Sequence, residues 1–313
     1  MAFRILTGRS KDYPAARKRP AFFGRPIRPF STRHTGITVC TTRGEMKKYW
    51  HVINIGIQNN LTYRFNFLAR AVFGLIPLIA MLYIWQKIYS GNGAGTTVGT
   101  YSLAQMISYY LLTTVVDALT AVNEDDWQIA ADIKDGNISQ FLLKPIDYLW
   151  YRLCLFLAGR VTYLAVAVIP LTVFILYLHQ YFVLPPDWTA LGCFLLSTVL
   201  TALLQFFTSY AMAMLAFWVL EVSTFIFILF AFEYLASGHL FPLDILPPWL
   251  EQVLYFTPFP YQLYFPVSIY MCKTTGANLV SGLLIQTLWV IAAYCVARFA
   301  WRRGLRKYSA VGG

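Results

Sequence analysis

From Leu68 onward the chain alternates between apolar runs of membrane length and shorter polar, glycine-rich or proline-rich pieces. A helix that crosses a bilayer needs roughly 20 apolar residues. Leu68–Tyr89, Tyr101–Val122 and Asn278–Phe299 each supply one such run. Tyr151–Leu178 is longer, but Arg160 divides it and leaves Val161–Tyr177 as a core of lipid length, with Pro170 a natural kink. Arg160 is expected to snorkel to the inner surface. The stretch from Trp188 to Ser237 is broken only by Gln205, Glu221 and Glu233. As one helix it would reach roughly 75 Å, more than twice a hydrocarbon core of about 30 Å. It must turn, and Glu221-Val222-Ser223 is the polar place to do so, giving spans of about Thr189–Phe217 and Ser223–Leu240. The pattern therefore predicts an all-α polytopic membrane protein with six transmembrane helices, occupying residues 65–308, with 309–313 as a tail.

Two further elements flank these spans. Met46, Tyr49, Trp50, Ile53, Ile57 and Leu61 recur at helical spacing, while Lys47, Lys48, His51, Asn54 and Gln58 take the other side. Residues 46–64 are therefore expected to form an amphipathic helix along the cytoplasmic surface, its aromatics at the headgroup boundary. After the fifth span comes Ser237-Gly238-His239-Leu240-Phe241-Pro242-Leu243-Asp244-Ile245-Leu246-Pro247-Pro248-Trp249-Leu250, running on to Thr257-Pro258-Phe259-Pro260-Tyr261. It is too apolar for a solvated loop. It is too rich in proline for a spanning helix, because each internal proline removes a backbone hydrogen bond that lipid cannot replace. It reads as a broken, re-entrant-like segment folded at the outer surface, with room for a short helix from Trp249 to Phe256.

Composition sharpens this picture. Of the 313 residues 58% are hydrophobic and 12% charged, about half the charged share of a soluble domain. The net charge of +11 does not point to nucleic acid, because the cations cluster at the span ends. Lys47, Lys48, Arg64 and Arg70 precede or open the first span, and Arg298, Arg302, Arg303, Arg306 and Lys307 close the last. Both termini are thus expected on the cytoplasmic side of the inner membrane, which also requires an even number of spans. The five cysteines are scattered and read as packing residues. Residues 1–45 carry ten Arg or Lys against Asp12 and Glu45. A disordered lipid-binding arm, an organelle-type presequence and an extension upstream of a true start at Met46 are the three readings, the last preferred.

The inner loop, residues 123–147, holds six acids against Lys134 and Lys144. Asp125 or Asp126 can cap a short helix that Gly136 ends in the left-handed region, before a second segment meets Lys144-Pro145. A net-negative loop with an apolar edge suits either a docking surface or plain solvation.

No catalytic set accompanies these elements. Phosphate-loop, zinc-protease, serine-hydrolase and Cys-x-x-Cys patterns are missing from the sequence, and the four histidines have no metal spacing. The intramembrane charges Asp117 and Glu233 remain. Charge in lipid costs at least about 2.5 kcal/mol at mid-span, so each needs a partner, water or a function. Glu233 either bonds backbone freed where the fifth span stops or lines a pathway.

The outer word small-Gly-x-x-Phe-Pro-Leu-x-x-Leu-Pro-x-Trp-Leu, followed by Pro-Phe-x-x-Tyr, and the inner word from Lys134 to Ile146 resemble the permeases of type-2 ATP-binding-cassette (ABC) exporters. The resemblance covers about Met46 to Arg306. It implies that two six-span halves, identical or homologous, pair to form the substrate pathway, and that each docks a separate cytosolic ATPase. On this resemblance Asp135, Gly136, Lys144 and Pro145 belong to the coupling element, and Gly238, Phe241, Pro242 and Pro247 shape the outer gate. ATP and magnesium would be bound by the partner, with no cofactor on this chain and no nucleic acid. The basic residues 1–45 and the acidic Glu124-Asp125-Asp126 depart from the family pattern. Two alternatives of other classes stand beside it, a proton-coupled secondary transporter using Glu233 or Asp117, and an intramembrane enzyme acting on lipid.

Overall fold

The computed structural model describes residues 42–91, 97–122, 125–181, 187–219 and 221–308. Most of the basic N-terminal stretch, Glu124 of the acidic loop and the tail at 309–313 lie outside the described residues. The described residues are almost wholly helical. The first helix, α1 (Thr42–Thr62), meets α2 (Arg64–Gly91) at the single turn residue Tyr63. Next come α3 (Leu103–Thr120), the loop helices α4 (Asp125–Lys134) and α5 (Ile138–Leu142), and the long α6 (Tyr148–Tyr177). Helix α7 (Trp188–Ala213) runs on as a 3-10 turn through Phe217, and α8 spans Ser223–Ala236. The chain ends with α9 (Pro248–Tyr255), α10 (Tyr264–Tyr270) and α11 (Gly276–Lys307).

Four of these, Arg64–Gly91, Tyr148–Tyr177, Trp188–Phe217 and Gly276–Lys307, are long and apolar enough to cross a membrane by length and composition. Helices α3 and α8 are shorter than the spans expected for them, at 18 and 14 residues. The reason for α8 is local. Expected to run to Leu240, it stops at Ala236 because Gly238, at φ +96°, turns the chain into a conformation that costs other residues a steric clash. Helix α3 starts late because Ser102 caps it, accepting from the Gln105 amide while the Gln105 side chain accepts from the Ser102 amide.

Helix α7 lies at the centre, packed by α3, α4, α10 and α11. Its inner residues are an unusual mixture of aromatic rings and small polar groups, Phe194, Ser197, Thr201, Gln205, Phe206 and Tyr210 among them. The amphipathic stripe of α1 divides between two surroundings. Gly56 is buried against α6, so close that a Cβ there would stand 2.8 Å from the Ala158 Cβ. Tyr49, Ile53 and Ile57 are half-buried, whereas Met46, Trp50 and Leu61 remain exposed.

The proline-rich segment is broken and turns back on itself, in keeping with the re-entrant-like reading. Only its middle lies open: Pro247, Pro248, Trp249, Val253 and Phe256 are exposed on and around α9. Ser237, Gly238, Pro242 and Leu243 are buried, as is every residue from Pro260 to Tyr270. The chain therefore turns back into the protein after α9. This is tolerable without water because the bundle meets the returning backbone. The Tyr261 carbonyl accepts from Thr201 Oγ1 at 3.1 Å and from Gln286 Nε2 at 2.9 Å, as polar backbone at membrane depth requires. Gln286 in turn accepts from Ser197 Oγ at 2.9 Å. Phe265 of α10 fills a notch at Gly282, where an added Cβ would stand 2.3 Å from its ring.

Candidate functional site

The break after α8 is clamped by α3. Tyr109 Oη donates to the Gly238 carbonyl at 2.5 Å, and Tyr110 Oη donates to the Leu240 carbonyl while accepting from Trp85 Nε1 at 2.9 Å. These phenols supply the donors that a broken helix leaves wanting. The turn points His239 back towards α3, where its Nε2 pairs with Asp117 at 3.1 Å. Its Nδ1 meets Ser237 Oγ at 2.7 Å, and its ring stacks on Tyr234 with centroids 4.7 Å apart. Asp117 thus has a partner 122 residues away. Glu233 lies one turn earlier on α8 and faces the same space.

Two adjoining cavities open here. The larger, about 340 Å³, lies between α2, α3, α6 and α8, with Pro77, Met81, Leu171 and Phe230 on its apolar walls and Arg70 and Arg160 also lining it. The smaller, about 80 Å³, is lined by Asp117, Asp126, Gln205, Ser209, Glu233 and His239. They share Asp117, Ala121, Phe230, Tyr234 and His239. Among the described residues no group of three or more His, Cys, Asp or Glu is placed to hold a metal ion.

Arg160 does not snorkel out as expected. It is 7% exposed, with its guanidinium 5.7 Å from the Phe156 ring centroid and 5.5 Å from that of Tyr163, an aromatic lining that suits a weakly hydrated planar cation. Glu221 lies in the short link before α8, and Arg298 lies in the last third of α11. Glu221 accepts from the Ser223 amide at 3.2 Å, and Arg298 pairs with Asp147 at 2.6 Å.

Of the four residues expected at the outer gate, Gly238 and Pro242 are buried, Phe241 is half-buried and Pro247 is exposed at the start of α9. Asp244, between them in the chain, accepts from Thr100 Oγ1 at 3.3 Å and lies 3.9 Å from Lys273 Nζ. Lys273 also sits 3.7 Å above the Tyr101 ring and donates to the Thr100 carbonyl at 3.2 Å. Burial pulls its ammonium below the usual lysine range, with Asp244 partly offsetting this. These contacts join the segment after α8, the entry to α3 and the turn before α11 in one cluster.

The expected coupling residues lie together in the loop between α3 and α6. Gly136, at φ +75°, ends α4, with the amides of Asp135 and Gly136 bonded back to Ala131 and Ile133. Asp135, Lys144 and Pro145 are exposed, and the Lys144 ammonium lies 5.0 Å from the Phe141 ring centroid. Leu143 beside it is 89% exposed. The loop is nevertheless firmly seated. Arg152 on α6 pairs with Asp132 of α4 and donates to Tyr148 Oη at 2.9 Å, and Tyr148 donates to Asp132 at 2.8 Å. Asp147 caps α6 through the Leu149 amide at 3.0 Å. Tyr308, just beyond α11, donates to the Gly136 carbonyl at 3.1 Å and touches Ser139 Oγ at 3.0 Å.

Several residues in these networks drew no notice in the sequence: His239 as the partner of Asp117, Gln286, Arg152 and Tyr308. One signal was readable. Ser197, Thr201 and Gln205 recur every fourth residue through an apolar run, a polar stripe along one helix face that marks packing on something other than lipid.

No curated protein matches the chain. The family described as ABC-2 family transporter protein matches residues 75–312, a span that takes in the lining of the smaller cavity, the returning segment and the loop between α3 and α6. Its members are the membrane component of such transporters, distinct from the ATPase, and in general work with an ATP-binding cassette partner. With its long apolar helices, its polar groups gathered inside and this match over most of its length, the chain is a multi-pass membrane protein that belongs to the ABC-2 transporter family as a transmembrane permease.

Proposed function

We propose that the chain is one half of an exporter in the cytoplasmic membrane, a six-span permease with both termini in the cytoplasm that pairs with a second, identical or homologous permease. Each half docks a cytosolic ATPase, which binds ATP and magnesium, through the loop at residues 123–147. Asp135, Gly136, Lys144 and Pro145 form the docking edge together with the exposed Leu143. Gly238, Phe241, Pro242 and Pro247 shape the outer gate.

The observation that supports this most is the seating of the inner loop. An exposed edge that carries Asp135, Leu143, Lys144 and Pro145 is bolted through Asp132, Gly136 and Ser139 to α6 and the end of α11. A plainly solvated loop has no use for three such attachments, whereas a loop that must pass on a partner's movement needs them. Coupling further requires two conformations with different affinity for the nucleotide-bound partner.

The test is co-expression with a cognate ATPase, followed by reconstitution of the purified complex. Replacement of Gly136 by valine together with Pro145 by alanine is expected to leave ATP hydrolysis running while export falls at least tenfold. Unchanged export per ATP, or failure of any ATPase to copurify with the unaltered chain, overturns the reading. The gathering of Asp117, Glu233 and His239 favours the proton-coupled alternative, which predicts transport by the chain alone, driven by a pH gradient.

A further inference from the structure

A groove at the end of α11 plays no part in the coupling or gating described above. It has a volume of about 550 Å³ and is lined by Trp218, Phe299, Ala300, Arg303, Arg306 and Lys307. Its lining holds three cations and no carboxylate, and among the described residues none of the three is ion-paired. The space falls in the range of pockets that take small molecules, roughly 300–1,000 Å³. Its two walls are fixed to each other. Phe217 fills the notch at Gly304, where an added Cβ would stand 2.2 Å from its ring, and this seats the neighbouring Trp218 beside α11. On the helix side the Arg303 guanidinium lies 5.2 Å from the Phe299 ring centroid. Such a contact occupies one face of the guanidinium and leaves its N–H edge for an anion, phosphate above all.

The helix that leads into the groove narrows the class of that anion. Leu284, Leu288, Ile291, Cys295 and Phe299 are exposed and recur three or four residues apart, and Arg303 and Arg306 continue the same spacing. An apolar stripe that ends in cations suits a molecule with a long apolar body and an anionic head. The depth agrees. Arg303 lies about 6 Å and Arg306 about 10 Å beyond Phe299 along the axis, and headgroups occupy roughly 5–8 Å on either side of the hydrocarbon core. Positive charge at a span end also orients a helix and suits its carbonyl terminus with no ligand bound. That role requires no tryptophan wall, and it would be served equally by Arg302, which is exposed but does not line the groove.

We infer that the groove seats an anionic phospholipid, its phosphate held by Arg303, Arg306 and Lys307 and one acyl chain laid past Trp218 and Phe299 along the exposed stripe of α11. The site is independent of the exporter reading and holds on whichever side of the membrane α11 ends.

Native mass spectrometry of the purified full-length chain, released from micelles that contain equal amounts of phosphatidylglycerol and phosphatidylcholine, tests it. Preferential retention of one phosphatidylglycerol is expected. Arg303→Gln with Arg306→Gln is expected to weaken that retention at least about tenfold, and Trp218→Ala at least about threefold with the charge unchanged. Arg303→Lys with Arg306→Lys, which keeps the charge, is expected to lose no more than about fivefold and separates loss of charge from loss of fold. Equal retention of the two lipids would overturn the proposal, as would an equal loss from Arg302→Gln and the double glutamine variant. Retention indifferent to Trp218→Ala would also overturn it, since diffuse attraction to a basic helix end would then suffice. Displacement of the lipid by millimolar inorganic phosphate or by a hexaglutamate peptide would do the same, because the groove would then be a site for soluble anions.

Discussion

Tyr308 Oη donates to the carbonyl of Gly136 at 3.1 Å, so the residue after the last helix closes the turn between α4 and α5. The same phenol touches Ser139 Oγ at 3.0 Å, and its ring packs edge-on against Phe217 at 5.9 Å. Phenylalanine in its place keeps the packing and loses the hydroxyl. One such hydrogen bond is worth about 1 kcal/mol. Tyr308→Phe is therefore expected to speed amide exchange in residues 134–143 about fivefold, with little change in thermal stability. Equal exchange in the two proteins would mean that the contact does not hold the loop.

Arg152 is the buried member of the inner network, its side chain 6% exposed against 20% for Asp132. Removing one member of a buried pair leaves the other charge without compensation, at a cost of about 3–5 kcal/mol when both are deeply buried. Asp132 keeps some access to water, so Arg152→Met is expected to cost about 2–3 kcal/mol, below that range. The double replacement Arg152→Met with Asp132→Leu should recover part of that loss. Equilibrium unfolding of the four proteins in mixed micelles measures the coupling.

The notches for Phe265 and Phe217 make opposite demands to an open glycine. A Cβ at Gly304 would lie 2.2 Å from the Phe217 ring, and one at Gly282 would lie 2.3 Å from that of Phe265. Alanine at either position is expected to cost about 1–3 kcal/mol through overpacking. Gly74 has nothing within 4 Å of its would-be Cβ, so Gly74→Ala is the control, expected neutral or slightly stabilising in its helix. Melting temperatures of the three variants check the order.

Gln286 holds the returning segment from α11. Gln286→Leu leaves the Tyr261 carbonyl with Thr201 Oγ1 alone and deprives Ser197 Oγ of its acceptor. Interhelical hydrogen bonds of this kind contribute about 0.6–2 kcal/mol each, so a loss of about 1–2 kcal/mol is expected. Adding Thr201→Val should increase the loss more than additively, because the carbonyl then has neither donor.

Much of this architecture was legible before any coordinates. The apolar runs marked α2, α3, α6, α7 and α11, because hydrophobic length is written locally, whereas α8 was expected to run on through Gly238 to Leu240. How fully the returning chain is buried through α10 was not legible either. Tyr264 to Tyr270 holds a proline and no charge, so it reads the same at a membrane surface as in a core. What decides is the donors waiting on α7 and α11, which are distant in sequence. The site divides likewise. Asp117 and Glu233 stood out because charge in an apolar run is costly wherever it falls, but their meeting with His239 depended on where Gly238 aims the chain. Arg160 was misjudged because position along a helix says nothing of the rings beside it.

Helix α11 is 32 residues long, about 48 Å from end to end, and none of its interior is interrupted by proline. Near its start Gly282 and Gln286 grip the buried return leg, and near its finish Gly304 and Tyr308 grip Phe217 and the loop turn. One uninterrupted element thus touches both the return leg and the loop turn, so a rigid displacement of either end would be felt at the other.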